Sequence, residues 1–546
     1  MRSYIFNESI KISLRGLRGW LFVVLVTAGT GCFAAEANQV VDIIVDLNET
    51  AQPIRNFGAS GCWYSENVGR YWPEAKKERI AELLFSRELD ETGSPRGIGL
   101  SAWRFNIGGG TAEQGDDGGV GNVDRRVECF LDADGNYDWS KQAGYIWFVE
   151  KARDYGVENL IAFSNTPPVF FTENGYGFKT VKDYRTNLRP DKVDAFAEFL
   201  VTVVQHFHDQ GLHFDYLSPI NEPQWDWSNT PGRATQEGCP WQNAEMFPVI
   251  EALDEALTES QLDTRILIPE AAQLDFLYDR EVSEEDQGKS RQIAAFWSPD
   301  SPLYLGNFEH VCRYVAGHSY FTDNGDEQLL SVRRALAQAI AESDQDLEYW
   351  QSEYSLLGDG YRDGRGRRLS EMDHALFLAK VIHHDLVVGQ ATAWQYWNAY
   401  EPGRASSPRY YLIALSPERD KRDGQFTATK CLWALGHYSR FVRPGMKRLA
   451  VQRSDGLSEE QAARQLMISA FADEQSGKTV VVIINYSDAD TTLKIDRRGL
   501  PDSASPAKGV QYVTTAESDE NMKAQPLDSL DSSIVSPARS IMTVTF

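Results

Sequence analysis

Along the chain, short apolar runs of strand length alternate with amphipathic runs of helix length. The strand-like runs are NFGAS (56–60), AWRFN (102–106), NLIAFSN (159–165), FDYLSPINE (214–222), RILIPE (265–270), VAGHSY (315–320), LEYWQSE (347–353) and ATAWQYWN (391–398). Helical candidates lie between them at 74–88, 140–155, 191–210, 243–261, 327–343 and 371–388, several opening at Asp, Ser or Pro as helix starts prefer. This alternation predicts an α/β architecture with a parallel sheet. Eight such units in about 385 residues suit a (β/α)8 TIM barrel with long loops.

Beyond a last barrel helix near 428–440 the period changes. Short alternating runs follow at 447–454, 464–473, 478–487, 491–498, 509–515 and 540–546, separated by turn-forming Ser, Asp and Gly. Such a series predicts an all-β sandwich. The opening run VVDIIVDL (40–47) also alternates and is expected to pair with it. The expected organisation is therefore a leader over 1–37, a sandwich strand over 38–55, a catalytic barrel over 56–440 and a β-sandwich side domain over 441–546.

The leader is read from Lys11, Arg15 and Arg18 ahead of the apolar stretch Trp20 to Ala28, with Ala35-Glu36-Ala37 as a small-x-small cleavage site. It predicts a secreted or periplasmic protein. Cys32 follows Gly29-Thr30-Gly31, which lacks the bulky aliphatic residue that opens a lipoprotein box, so a lipid anchor at Cys32 is the alternative reading. No later run is long and apolar enough to span a bilayer. At a net charge of −25 the surface repels phosphate backbones, which excludes nucleic acid as a natural partner. Five cysteines follow the leader (Cys62, Cys129, Cys239, Cys312 and Cys431) with no C-x-x-C pair, which argues against a zinc site or a disulfide framework; one bridge is allowed. A monomer is expected, and nothing in the chain requires a cofactor.

The candidate chemistry sits where a barrel keeps it, at the carboxyl ends of the strands. Polar residues cluster there: Trp103-Arg104-Phe105-Asn106, Ser164-Asn165-Thr166, Asn221-Glu222-Pro223, His318-Ser319-Tyr320, Glu353-Tyr354 and Trp394-Gln395-Tyr396-Trp397-Asn398. A core has no use for so many polar groups unless they share a site. Glu222, in SPINEPQWDW (218–227), and Glu353, in EYWQSEYS (348–355), would give that site two carboxyls. Two carboxyls are the minimum equipment for cleaving a glycosidic bond: one protonates the leaving oxygen, and the other meets the oxocarbenium-like carbon on the opposite face of the sugar.

Taken together, the NEP of the fourth strand, the SEY of the seventh, Trp-Arg on the second, His-Ser-Tyr on the sixth and Trp-x-x-Trp on the eighth resemble the glutamate-pair superfamily of retaining (β/α)8 glycosidases. Within it the chain resembles glycoside hydrolase family 30. WRFNIGGGTAEQG (103–115), DGNYDWSKQAG (134–144), AFSNTPPVFFTENG (162–175) and SPINEPQWDW are closest to the endo-β-1,6-galactanase branch, and YSRFVRPGMKRL (438–449) matches the family's ending.

The resemblance implies Glu222 as acid/base and Glu353 as nucleophile. It also implies a substrate-binding set of Arg104, Asn165, Asn221, Trp225, Tyr320 and Trp397. Arg104 would keep Glu353 ionised, Tyr320 would hydrogen-bond the same carboxylate, Asn221 would hold the sugar 2-hydroxyl, and Trp397 would floor the sugar. Trp225 and Trp227 read equally as loop anchors or sugar platforms. The implied activity is double displacement on a β-linked polysaccharide, with β-1,6-galactan in the lead. Glucuronoxylanase, β-1,6-glucanase, exo-β-glycosidase, glucosylceramidase and a non-catalytic glycan-binding protein are the alternatives.

Three further patterns carry less. Asp132-Ala133-Asp134-Gly135-Asn136 resembles the start of a calcium loop, but the twelfth position is Ala143 where a Glu is needed, so a turn is expected. Gly108-Gly109-Gly110 lacks phosphate-loop spacing and reads as a flexible loop that lets substrate approach. Arg362, Arg365, Arg367 and Arg368 follow the seventh strand and would either bind an acidic sugar or pair with acids such as Glu371 and Asp373.

Overall fold

The computed structural model describes residues 40–279, 288–499, 508–529 and 532–546. The expected leader and Cys32 lie outside these residues. Strand β1 (Val41–Pro53) comes first, and eight parallel strands then close into a barrel. They are β2 (Asn56–Ser60), β3 (Ala102–Ile107), β4 (Asn159–Ser164), β5 (Tyr216–Ser218), β6 (Arg265–Ala271), β7 (Val311–His318), β8 (Glu348–Tyr354) and β9 (Ala393–Tyr396). Helices Glu74–Phe85, Ala143–Asp154, Val193–Asp209, Asn243–Ser260, Asp326–Ser343, Glu371–Val387 and Lys430–Ser439 lie at the expected positions. The Glu371–Val387 helix opens on a reciprocal capping box between Ser370 and Asp373, which satisfies two of the backbone donors a helix start leaves free.

The barrel interior is packed. Ala102, Ala316 and Ala393 leave room for Trp350, which stacks on Tyr314 with ring centroids 4.5 Å apart and meets Tyr216 edge-on at 4.9 Å. Small residues on facing strands and one large ring from another make a plug under the site.

Two strands depart from expectation in ways that build the site. The fourth barrel strand was expected through residue 222 but stops at Ser218, because Pro219 and Pro223 have no N–H to give a ladder. The Glu222 N–H instead donates to the Glu270 carbonyl at 3.0 Å. On the seventh, the register against β9 shifts between Gln351 and Tyr354, so Ser352 and Glu353 escape strict alternation.

Three short strands, β10 (Tyr400–Pro402), β11 (Ile413–Pro417) and β12 (Gly424–Ala428), form a small sheet after β9. Eight more follow: β13 (Lys447–Arg453), β14 (Leu466–Ala472), β15 (Thr479–Asn485), β16 (Thr491–Arg498), β17 (Gly509–Thr514), β18 (Lys523–Leu527), β19 (Ile534–Ser536) and β20 (Ser540–Thr545). With β1 they make nine hydrogen-bonded strands in the order β18-β17-β20-β15-β14-β13-β1-β16-β19. As expected, β1 joins this layer, antiparallel to β13 and parallel to β16.

The β-layer is one sheet curled over its own core. Ile495 and Ile534 near one end share a cluster with Val513 and Val544 near the other. Its interior strand β15 is apolar without alternation because both faces are covered. Val481 and Ile483 point into the curl, while Val480, Val482 and Ile484 join the core with helices Glu371–Val387 and Lys430–Ser439. His437 pins the last helix to the sheet through Thr514 and Thr543, each at 2.8 Å.

Candidate active site

At the carboxyl end of the barrel, a cleft of about 410 Å³ is lined by residues that include Asn221, Glu222, Trp225, Tyr320, Glu353 and Trp397. A carboxylate oxygen of Glu222, a ring nitrogen of His318 and a carboxylate oxygen of Glu353 all lie within 4.8 Å of one another. Glu353 accepts from Arg104 Nη1 at 2.8 Å and from the Tyr320 hydroxyl at 3.0 Å. His318 sits between carboxyls, with Nδ1 at 3.0 Å from Glu222 and Nε2 at 3.1 Å from Glu270. Glu270 also takes the Ser352 hydroxyl at 2.5 Å and lies 3.7 Å from Arg104 Nη2.

Glu222 and Glu270 both hold left-handed backbone, at φ of 46° and 53°. A non-glycine residue in that region costs about 1–2 kcal/mol, so the fold stores strain where it aims these two carboxyls.

Burial sets the direction at Glu353, and charge sets it at His318 and Glu270. Burial pushes the Glu353 carboxyl above the ordinary range, and His318 and Arg104 pull it only part of the way back. Arg104 therefore acts on Glu353 in the expected sense but does not set the net direction, because desolvation of a fully covered carboxylate outweighs one guanidinium. Burial alone would depress the His318 imidazolium, yet Glu353, Glu222 and Glu270 together raise it to about 10. Glu270 is held below the usual carboxylate range against its burial, by Arg104 first and then by His318 and Ser352. Glu222, His318 and Glu353 are spaced closely enough for a cation. A protonated ring with both nitrogens facing carboxylates has no lone pair to offer one.

Asn221, Trp225, Tyr320 and Trp397 line the cleft. Arg104 and Asn165 do not line it. Arg104 is 1% exposed and engaged with Glu353 and Glu270, and Asn165 bridges Asn106 at 3.3 Å to Asn221 at 3.1 Å. Both were expected to touch substrate; instead they hold the residues that line the cleft. Trp227 is both wall and anchor, since its indole N–H donates to the Glu222 carbonyl at 3.1 Å.

The glycine loop is clamped. Glu237 accepts from the Gly109 N–H at 3.1 Å and from the Thr111 hydroxyl at 2.7 Å. Arg365 and Arg367 both pair with Asp373, and Arg362 pairs with Asp359, so these three arginines are engaged within the protein. Asp132 accepts the N–H groups of Asp134 and Asn136, as a turn does. The five described cysteines are buried and unpaired. Among the described residues, no helix is long and apolar enough to cross a membrane.

Reasoning from sequence missed Glu270, Glu237, Arg125 and Glu401, and left His318 at a strand tip without a role. Glu270 closes RILIPE at a strand end just as Glu222 and Glu353 close theirs, and the same argument applied there finds it. Glu237 lies in a loop and Glu401 on the three-residue strand β10, neither with a periodic signal.

A closed parallel barrel thus carries buried glutamates at its carboxyl end, opening on an aromatic cleft. The chain belongs to O-glycosyl hydrolase family 30, whose model matches residues 40–408. It is similar to a conserved exported protein of Bacteroides fragilis, at 35% identity over 93% of this chain and all of that one, with a TM-score of 0.83. It is also similar in fold to the catalytic domain of xylanase C of this family from Talaromyces cellulolyticus, at 19% identity, 92% and 99% coverage and a TM-score of 0.61. An exo-β-1,6-galactobiohydrolase of Bifidobacterium longum is 22% identical over 84% of this chain, which spans only 34% of that protein.

Proposed function

We propose that the protein is an exported retaining endo-glycosidase that cleaves β-1,6-galactan by double displacement, with Glu222 as acid/base and Glu353 as nucleophile. The observation that carries this reading is the approach of the two glutamates to within 4.8 Å. That spacing supports a retaining pair at about 5–5.5 Å, against the roughly 6.5–9.5 Å an inverting pair needs for its water. Two buried cations, Arg104 and His318, face the three carboxyls of Glu222, Glu270 and Glu353. Glu222, at 8% exposure against 4% for Glu353 and 0% for Glu270, is the one that meets the cleft most openly.

In the first step Glu353 attacks the anomeric carbon as Glu222 gives its proton to the departing oxygen. A water then attacks the same carbon, Glu222 takes its proton, and Glu353 leaves. Tyr320 and Arg104 hold the nucleophile on axis, and Trp397 supports the apolar sugar face.

The galactan assignment is supported by the motifs at 103–115 and 218–227 and by the galactobiohydrolase relative. Export is supported by the basic and apolar leader and by the similar exported protein of Bacteroides fragilis. The reading is tested by incubating the protein and its Glu353→Gln variant with β-1,6-galactan, glucuronoxylan and β-1,6-glucan and sizing the products. Short galacto-oligosaccharides, absent with the variant, support galactan and endo action together. Galactobiose alone from the first minutes replaces endo with exo action, and cleavage of another glycan replaces the substrate.

A further inference from the structure

The flank of the cleft away from Glu222 carries a charged cluster that the two-step chemistry does not use. Glu401, on β10, lines the cleft with a side chain only 16% exposed. Its Oε1 accepts from Asn398 Nδ2 at 2.7 Å, and among the described residues Asn398 is its one hydrogen-bond donor. Arg125 stands 3.9 Å away, lies over the Trp63 ring at 4.2 Å and donates to Gln236 at 3.2 Å. Trp63 meets Trp397 edge-on, with ring centroids 5.1 Å apart. A carboxylate offers about four acceptor positions, so Glu401 keeps most of its accepting capacity for whatever enters.

The leaving sugar must lie beside the proton donor, where Trp225 and Phe321 form a wall with ring centroids 6.4 Å apart. The sugar that is transferred then falls on the side of the cleft lined by Trp397, Trp63 and Glu401. We propose that Glu401, held by Asn398 and Arg125, accepts hydrogen bonds from a vicinal pair of hydroxyls on that sugar, and so selects a neutral hexose unsubstituted at both positions. The proposal rests on the glycosidase reading above. A uronate is disfavoured there because its charge would face Glu401, while the nearby cation is already countered by Glu401 and stacked on Trp63.

The test is a cycle between the protein and its substrate. Hydrolysis of an aryl β-galactoside and its 2-, 3-, 4- and 6-deoxy forms is measured for the wild type, Glu401→Ala and Glu401→Gln, with melting temperatures as a folding check. Glu401→Gln keeps the acceptor for Asn398. A hydrogen bond to a charged group corresponds to about 10- to 100-fold in kcat/KM. The expected result is that removing either of two adjacent hydroxyls lowers wild-type kcat/KM by that factor, and that Glu401→Ala shows no further loss on those two substrates. The preference for galactoside over galacturonide should also fall about tenfold or more in Glu401→Gln. Losses that simply multiply across all deoxy forms in folded variants overturn the subsite and leave the glycosidase reading standing. A wild type that cleaves none of the polysaccharides or glycosides overturns both, and one that cleaves a polysaccharide with kcat/KM unchanged in folded Glu401→Ala overturns the subsite alone.

Discussion

Replacing Arg104 by Met removes one of the two cations beside Glu353 and leaves the burial unchanged. The guanidinium lies 2.8 Å from Glu353 and 3.7 Å from Glu270, at 1% exposure. Coulomb's law at an effective dielectric of about 20 bounds the Glu353 contact near 6 kcal/mol. A charged hydrogen bond nets about 1.5–3 kcal/mol, and 1.36 kcal/mol is one pKa unit. The Glu353 carboxyl, already raised by burial, should therefore rise by about a further 1–2 units. Attack requires the ionised form, so the acidic limb of the pH profile of kcat/KM moves to higher pH by that amount. On the acidic side of the limb the loss is about 10- to 100-fold and is recovered by alkali. Two carboxylates lose a buried partner, which costs about 3–5 kcal/mol of stability. Arg104→Lys, which keeps the charge and loses the fork, serves as the folded control. An acidic limb that stays in place in a folded Arg104→Met protein would refute the reasoning.

Glu270→Gln removes one anion from His318, so its ring, raised to about 10 in the wild type, should titrate about 1–2 units lower by NMR; kcat should fall about tenfold or more with KM little changed. Glu237 should make stability fall with pH. Its folded carboxyl is raised by burial to about 7 against an ordinary 4.5, so the fold favours the protonated form, and about 3 kcal/mol is lost as pH rises through that interval; melting curves of wild type and Glu237→Gln that stay parallel between pH 4.5 and 7.5 would contradict this. Gly144→Ala should lower the melting temperature sharply, since a Cβ there would lie 2.3 Å from the Ser65 carbonyl oxygen. Gly135→Ala meets no atom within 4 Å and pays only for its φ of +88°, about 1–2 kcal/mol.

The eight barrel strands and seven of the helices around them were legible because each must cover a face, and a covered face leaves a period in the sequence. The same logic found β1 in the sheet with β13 and β16. Strands β18 and β19 escaped it, since Lys523–Leu527 and Ile534–Ser536 are short pieces at the two edges of the sheet. At the site, Glu222 and Glu353 were legible as polar residues closing apolar runs. What sequence could not say is which polar residues face the cleft and which stand behind it. Arg104 and Asn165 look like ligands in sequence, but their side chains are buried against Glu353 and Glu270 and against Asn106 and Asn221, one layer behind the cleft wall. Glu401 and Arg125 come together from segments 276 residues apart, and no local pattern records that meeting.

The central claim is double displacement through Glu353 and Glu222. It is tested most directly by following the anomeric configuration of the first product by proton NMR, on the substrate the wild type cleaves fastest. The account predicts that the β-anomer appears first and then mutarotates, with no product from Glu353→Gln. An α-anomer formed first would mean a single inverting displacement and would contradict the roles assigned to both glutamates.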